Sequence, residues 1–128
     1  MKSETDLETL LKNLSPELHK GDYVFCTLAI ETKLEKIEFI ATFIEEEGKT
    51  LVVEKEIANS MNLEYKMIMS WITLNAYSSL KAVGLTAAVS SILAKNNISC
   101  NIIAAYHHDH IFVPKDDALQ AIDLLRKL

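Results

Sequence analysis

Glycine, cysteine and clustered cations are scarce in this chain, and each scarcity excludes something. The 128 residues hold three glycines, Gly21, Gly48 and Gly84, too far apart to build a phosphate-cradling loop. Two cysteines, Cys26 and Cys100, each fall in an apolar, strand-like run. Neither has a basic or imidazole neighbour in sequence that would lower a thiol pKa, so a nucleophile is not expected. Two free buried thiols are preferred to a disulfide, as suits a cytoplasmic chain. Lysines are scattered beside glutamates, and the net charge is −5, so a nucleic-acid partner is not expected. No apolar run approaches bilayer length, and residues 1–14 are charged and amphipathic rather than signal-like. Neither a membrane association nor export is expected. What remains is 49% hydrophobic and 24% charged, enough to bury a core in one compact domain or two small ones sharing it.

Hydrophobic spacing divides the chain into elements. Thr5 and Glu8 stand at capping-box spacing ahead of Leu7, Leu10, Leu11 and Leu14, which predicts a helix that Pro16 stops. "DYVFCTLAI" reads as a strand introduced by Gly21. "KIEFIATFIEEEGKTLVVEKE" reads as a hairpin turning at Gly48, with the acidic run Glu45, Glu46, Glu47 as its solvated tip. A short helix in "EKEIANSMNL" follows. "KMIMSWITLN", apolar on both faces, is a central strand. Met67, Met69 and Trp71 share one face of it, which favours packing over a cofactor pocket. After the loop "AYSSLKAVG", the stripe Leu85, Ala88, Val89, Ile92, Leu93 predicts a helix over 85–96. "ISCNIIAAY" and "HIFVP" are strands. "KDDALQAIDLLRKL" closes the chain as a helix, with Ala118, Ala121, Ile122, Leu125 and Leu128 inward.

The order helix, strand, strand, helix occurs twice. "TLVVEKEIA" parallels "HIFVPKDDA" at an offset of 60, matching Leu51 with Ile111, Val53 with Val113, Lys55 with Lys115 and Ala58 with Ala118. The preceding strands, from Tyr23 and from Asn101, match at 78, which implies an 18-residue addition in the first copy. The implied fold class is α+β: two small units flanking the central strand, with an antiparallel sheet and helices packed on one face.

"GDYVFCTL", "SSLKAVGLTAAVSSILAKNNISCNIIAAYHHDHIFVP" and the closing helix resemble small tandem ACT-domain proteins of the aspartokinase kind. The resemblance implies two fused ACT-like units of ferredoxin-like fold, a divergent one over 1–62 and a second over 63–128. The family pattern is βαββαβ. Here the first copy lacks a clear opening strand and nothing follows the last helix, so strand exchange between copies or protomers would complete the sheets. The resemblance also implies a non-catalytic regulatory protein that binds a small molecule, an amino acid, without a cofactor or metal. Its ligand site would fall on Ser79, Val83, Gly84, Leu85 and Thr86, with Asn101 opposite. A helix N-terminus suits a carboxylate, and Gly84 allows close backbone approach. Asp109 is the candidate to meet an α-amino group. Thr86 is equally a candidate helix cap. Edge strands in so short a chain point to a homodimer.

"AAYHHDHIFVP" holds His107, His108 and His110 around Asp109. A zinc site needs three or four converging ligands, whereas a chain reversal at 107–109 would turn these side chains apart. His19 is distant in sequence, and no CxxC or HExxH spacing occurs. A hairpin corner whose imidazoles hydrogen-bond backbone or a partner subunit is favoured over a metal or catalytic site. The other readings are an interaction module without a ligand and an enzyme using the histidine turn.

Overall fold

The structure is a computed structural model that describes residues 3–76 and 84–128. The chain forms two compact units. Gly21–Met69 is the first; Ser70–Leu128 together with Met1–Lys20 is the second.

The first unit contains β2 (Tyr23–Leu28), β3 (Ala41–Glu45), β4 (Gly48–Glu54) and α2 (Lys55–Ser60); the second opens with α1 (Ser3–Lys12) and β1 (Ser15–Leu18). In the first unit the strands run β3-β4-β2, antiparallel throughout. Strand alternation decides the faces. Val24 and Cys26 on β2 lie opposite Val53 and Leu51 on β4, and with Ala58 of α2 they form the buried core. Leu34 and Ile37, from the segment between β2 and β3, pack against it. Met69 pairs with Tyr23, in the place of a closing strand.

The second unit continues with β5 (Met69–Asn75), α3 (Leu85–Lys95), β6 (Asn101–Ala104), β7 (Asp109–Pro114) and α4 (Ala118–Arg126), with a single 3₁₀ turn at Lys115–Asp117. β5 lies between β1 and β7, and β6 flanks β7. The core takes Ile72 and Leu74 from β5, Ile111 and Val113 from β7, Val89 and Leu93 from α3, and Ala121, Ile122 and Leu125 from α4. Of the stripes expected from periodicity, Val89 and Leu93 in α3 and Ala118, Ala121, Ile122 and Leu125 in α4 are buried, while Leu85, Ile92 and Leu128 pack half-buried against the core. Each fully buried Leu, Ile or Val stabilises the fold by about 1.5–3 kcal/mol.

The missing strand is supplied within the chain. β1, at the start, pairs with β5 (Pro16 with Leu74, Leu18 with Ile72) and stands where a sixth element would follow α4. The helix ends at Lys12, before Pro16, and Pro16 itself lies inside β1, which an edge position tolerates.

The repeat extends further than the sequence suggests, and one of its offsets changes. Ala41 pairs with Val52 as Asn101 pairs with Phe112; Ile44 pairs with Lys49 as Ala104 pairs with Asp109. An offset of 60 therefore holds through both hairpins. β3, not β2, is the counterpart of β6, and β2 corresponds to β5. No 18-residue addition exists in the first copy; instead residues 29–40 occupy the place that includes α3 in the second.

Candidate functional site

Gly84 stands at the entrance of α3 with φ +103°, a left-handed conformation that disfavours any side chain. The first helical bond runs from the Ala88 N–H to the Gly84 carbonyl at 2.8 Å. Helix geometry therefore leaves the N–H groups of Leu85, Thr86 and Ala87 without an intrahelical acceptor, and among the described residues no side-chain cap bond is made at the Gly84 N-cap. Thr86 is exposed and Leu85 half-buried against the core. A Cβ at Gly84 would lie 3.2 Å from Leu7 Cδ2, so α1 lies against this turn. Ser79 and Val83 lie outside the described residues.

Asn101 and Asp109 belong to the same hairpin but stand apart. Asn101 is opposite Phe112, at the start of β6; Asp109 is opposite Ala104, at the other end. Three residues of strand separate those positions, about 10 Å. They also face differently. Asp109 alternates with the buried Ile111 and Val113, on the helix-bearing side, while Asn101 shares the face of Phe112. Side-chain contacts between β5 and β7 place Thr73 beside His110 and Trp71 beside Phe112. Asp109 therefore lies at the Asn75 end of β5, from which the chain leaves for α3. The fold brings Asp109 and the Gly84 turn to one end of the unit and leaves Asn101 at the other.

The opposite sheet face carries a polar and aromatic cluster. His19, just past β1, donates its backbone N–H to the Trp71 carbonyl at 2.9 Å, and its ring stacks on the indole with centroids 3.6 Å apart. Trp71 Nε1 donates to His110 Nδ1 at 3.0 Å. The Thr73 hydroxyl, in a buried residue, bridges His19 Nε2 at 2.6 Å and His110 Nδ1 at 3.1 Å. An indole N–H only donates, so His110 Nδ1 is an acceptor and the neutral ring carries its proton on Nε2. Burial above all lowers the His110 pKa, and His108 and His19 lower it further, against a smaller opposing effect of Asp109. His107 and His108 are exposed. Among the described residues no group of three His, Cys, Asp or Glu side chains is placed to hold a metal ion.

Sequence reasoning missed His19 as a member of this cluster. The signal was the alternation of Pro16 and Leu18 on one face with Glu17 and His19 on the other, with only Pro16 buried in β1, four residues too short to distinguish from a loop. Burial pushes the Cys100 thiol up to about 11 and raises that of Cys26, so both are poor nucleophiles.

Residues 2–70 match the ACT-domain family, and residues 68–127 match a second ACT-domain model. The chain belongs to the ACT-domain family. ACT domains are regulatory modules, and this protein carries two in tandem. A Vibrio cholerae protein of unknown function, described as a possible transport protein, is 49% identical over 98% of this chain and 97% of its own, with a TM-score of 0.90. The aspartate kinase of Clostridium acetobutylicum shares the fold at 15% identity and TM-score 0.62, over 89% of this chain and 33% of the kinase. Aspartokinase III of E. coli, in a complex with aspartate and ADP, gives 14% identity and TM-score 0.62, over 89% and 32%. Comparison with curated protein sequences gave no match. Among the described residues no helix is long and apolar enough to cross a membrane.

Proposed function

We propose that this tandem ACT protein is a non-catalytic, cytoplasmic regulator that binds a free amino acid at the α3 entrance. What supports this reading is that the helix N-terminus behind Gly84, with no side-chain cap among the described residues, and the Asp109 position lie toward the same end of the second unit. The amino acid's carboxylate accepts hydrogen bonds from the first-turn amides of Leu85 and Thr86, aided by the helix dipole. Its ammonium group meets Asp109 in a charge-assisted bond. Gly84 keeps the backbone approachable; Ser79 and Val83, outside the described residues, belong to the proposed set. Asn101, at the far end of its hairpin, joins this set from a second copy of the chain in a homodimer. No cofactor or metal takes part.

A ligand shifts an equilibrium only through its differential affinity for two states. An amino acid bound here would favour one packing of α1 and α3, which meet at Leu7 and Gly84, and a partner protein would read that packing. A thermal-shift screen against the twenty amino acids tests the reading. At one hundred times its Kd a ligand adds about 2.7 kcal/mol of stability, enough to see in Tm. If none raises Tm at millimolar concentration, an interaction module without a ligand becomes the better account.

A further inference from the structure

Two donors converge on one nitrogen in the second unit. Trp71 Nε1–H points at His110 Nδ1 from 3.0 Å, and the Thr73 hydroxyl stands 3.1 Å from the same atom. A neutral imidazole offers one acceptor nitrogen. With that nitrogen accepting, the Thr73 proton turns toward His110, and the 2.6 Å bond to His19 is donated by His19 Nε2. The donors then run from His19 through Thr73 to His110, and they tie the residue after β1 to β7 across β5.

β1 depends on that tie. Of its four residues only Pro16 is buried. Its ladder with β5 continues to the His19 N–H on the Trp71 carbonyl. The His19 ring also lies on the indole face, so backbone and ring rest on the same Trp71.

A proton on His110 Nδ1 turns this acceptor into a donor. The indole N–H loses its bond there and must turn to another acceptor, which moves the platform under His19. The Thr73 oxygen, in a residue 5% exposed, then faces an N–H from each imidazole, and its own proton has neither ring to bond. Unmade bonds of buried donors are costly. His19, half-buried at the end of an edge strand, is the member of the cluster with room to leave. We propose that protonation of His110 unlatches the end of β1 from β5, so that mild acid opens the β5 edge that β1 covers.

The charges around this ring within the second unit set the direction. On its own strand stand His108, with ring centroids 6.4 Å apart, and Asp109. From β1 come His19 and Glu17, whose carboxylate accepts from the Asn75 amide at 3.4 Å. β5 presents Trp71 and Thr73, and β6 the apolar Ile103. Burial disfavours the imidazolium most, the two histidines add to that, and Asp109 opposes them. The latch is therefore closed at neutral pH, and it works without any ligand.

Amide hydrogen exchange of the full chain, read by NMR and corrected for intrinsic exchange, tests it. Protection at the His19 N–H should fall about tenfold or more between about pH 8 and about pH 5. The midpoint should coincide with the His110 titration followed by its imidazole nitrogen shifts, and amides paired between β6 and β7 should keep their protection. His110→Gln should abolish the fall, and His108→Gln, an exposed change, should retain it. A wild-type His19 amide whose protection ignores pH overturns the latch, as does a fall that persists in His110→Gln or vanishes in His108→Gln. Should His110→Gln not fold, the wild-type midpoints decide alone: a His19 transition separate from the His110 titration overturns the proposal.

Discussion

The two hairpins, β3–β4 and β6–β7, are the same frame furnished differently. Their registers superpose at an offset of 60, and the inward residues match: Leu51 with Ile111, Val53 with Val113, each fully buried. What differs is what the frame carries. The second unit has α3 with Gly84 at its N-terminus, and it places Asp109 and His110 where the first has Lys49 and Thr50. The first unit replaces α3 with residues 29–40, and it exposes Phe43 where the second has a half-buried Ile103. The repeated core supports the fold; the proposed binding chemistry rests on the unrepeated residues.

The largest effects should come from the shared core. Leu51→Ala and Ile111→Ala should each cost about 2–5 kcal/mol in urea unfolding. Similar losses would confirm that the two frames are equivalent in energy as well as geometry; a negligible loss at either would break the equivalence.

The glycines should then separate. A Cβ at Gly48, φ +153°, would meet the Leu28 carbonyl oxygen at 2.5 Å, whereas at Gly84 it meets the end of a leucine side chain at 3.2 Å. Gly84→Ala should cost about 1–2 kcal/mol from its left-handed backbone, and Gly48→Ala more, because backbone cannot move aside as a side-chain methyl can. Chemical denaturation of the two variants gives the order, and the reverse order would contradict the described turns.

A smaller effect, in pH dependence, should belong to the second unit. His110 has a folded pKa below the ordinary imidazole value of 6.5. The unfolded chain therefore binds more protons between those two values, and stability rises with pH there. The His110 contribution is fully present above about 6.5 and is lost as pH falls toward the folded pKa. His110→Gln should flatten the stability profile below 6.5. Trp71, the single tryptophan, should report the same titration by fluorescence, since protonating Nδ1 removes its acceptor. An unchanged pH profile in the variant would remove His110 from this account. Trp71→Phe, which loses one hydrogen bond, should cost about 1 kcal/mol.

The ACT fold, the helices α3 and α4 with their buried faces, and the correspondence of β4 with β7 were legible because 3.6-residue and two-residue periodicities survive in those segments. Matching β2 with β6 failed because an apolar strand does not reveal whether it is central or an edge; only pairing distinguishes them. β1 was illegible because four residues containing a proline have no strand signature without a partner. The assignment of Gly84 and Asp109 to the proposed site came from the family resemblance. The distance of Asn101 from it depended on hairpin register, and His19 joined Trp71 only through β1.

The central claim is that binding chemistry resides in the second unit alone. Backbone amide NMR of the full chain, titrated with the twenty amino acids, tests it most directly. At least one amino acid should shift the amides of Gly84, Leu85 and Thr86 in a saturable way, leave residues 29–40 unmoved, and lose its effect in Gly84→Ala. Shifts centred on residues 29–40, or none anywhere at millimolar concentration, would contradict the account.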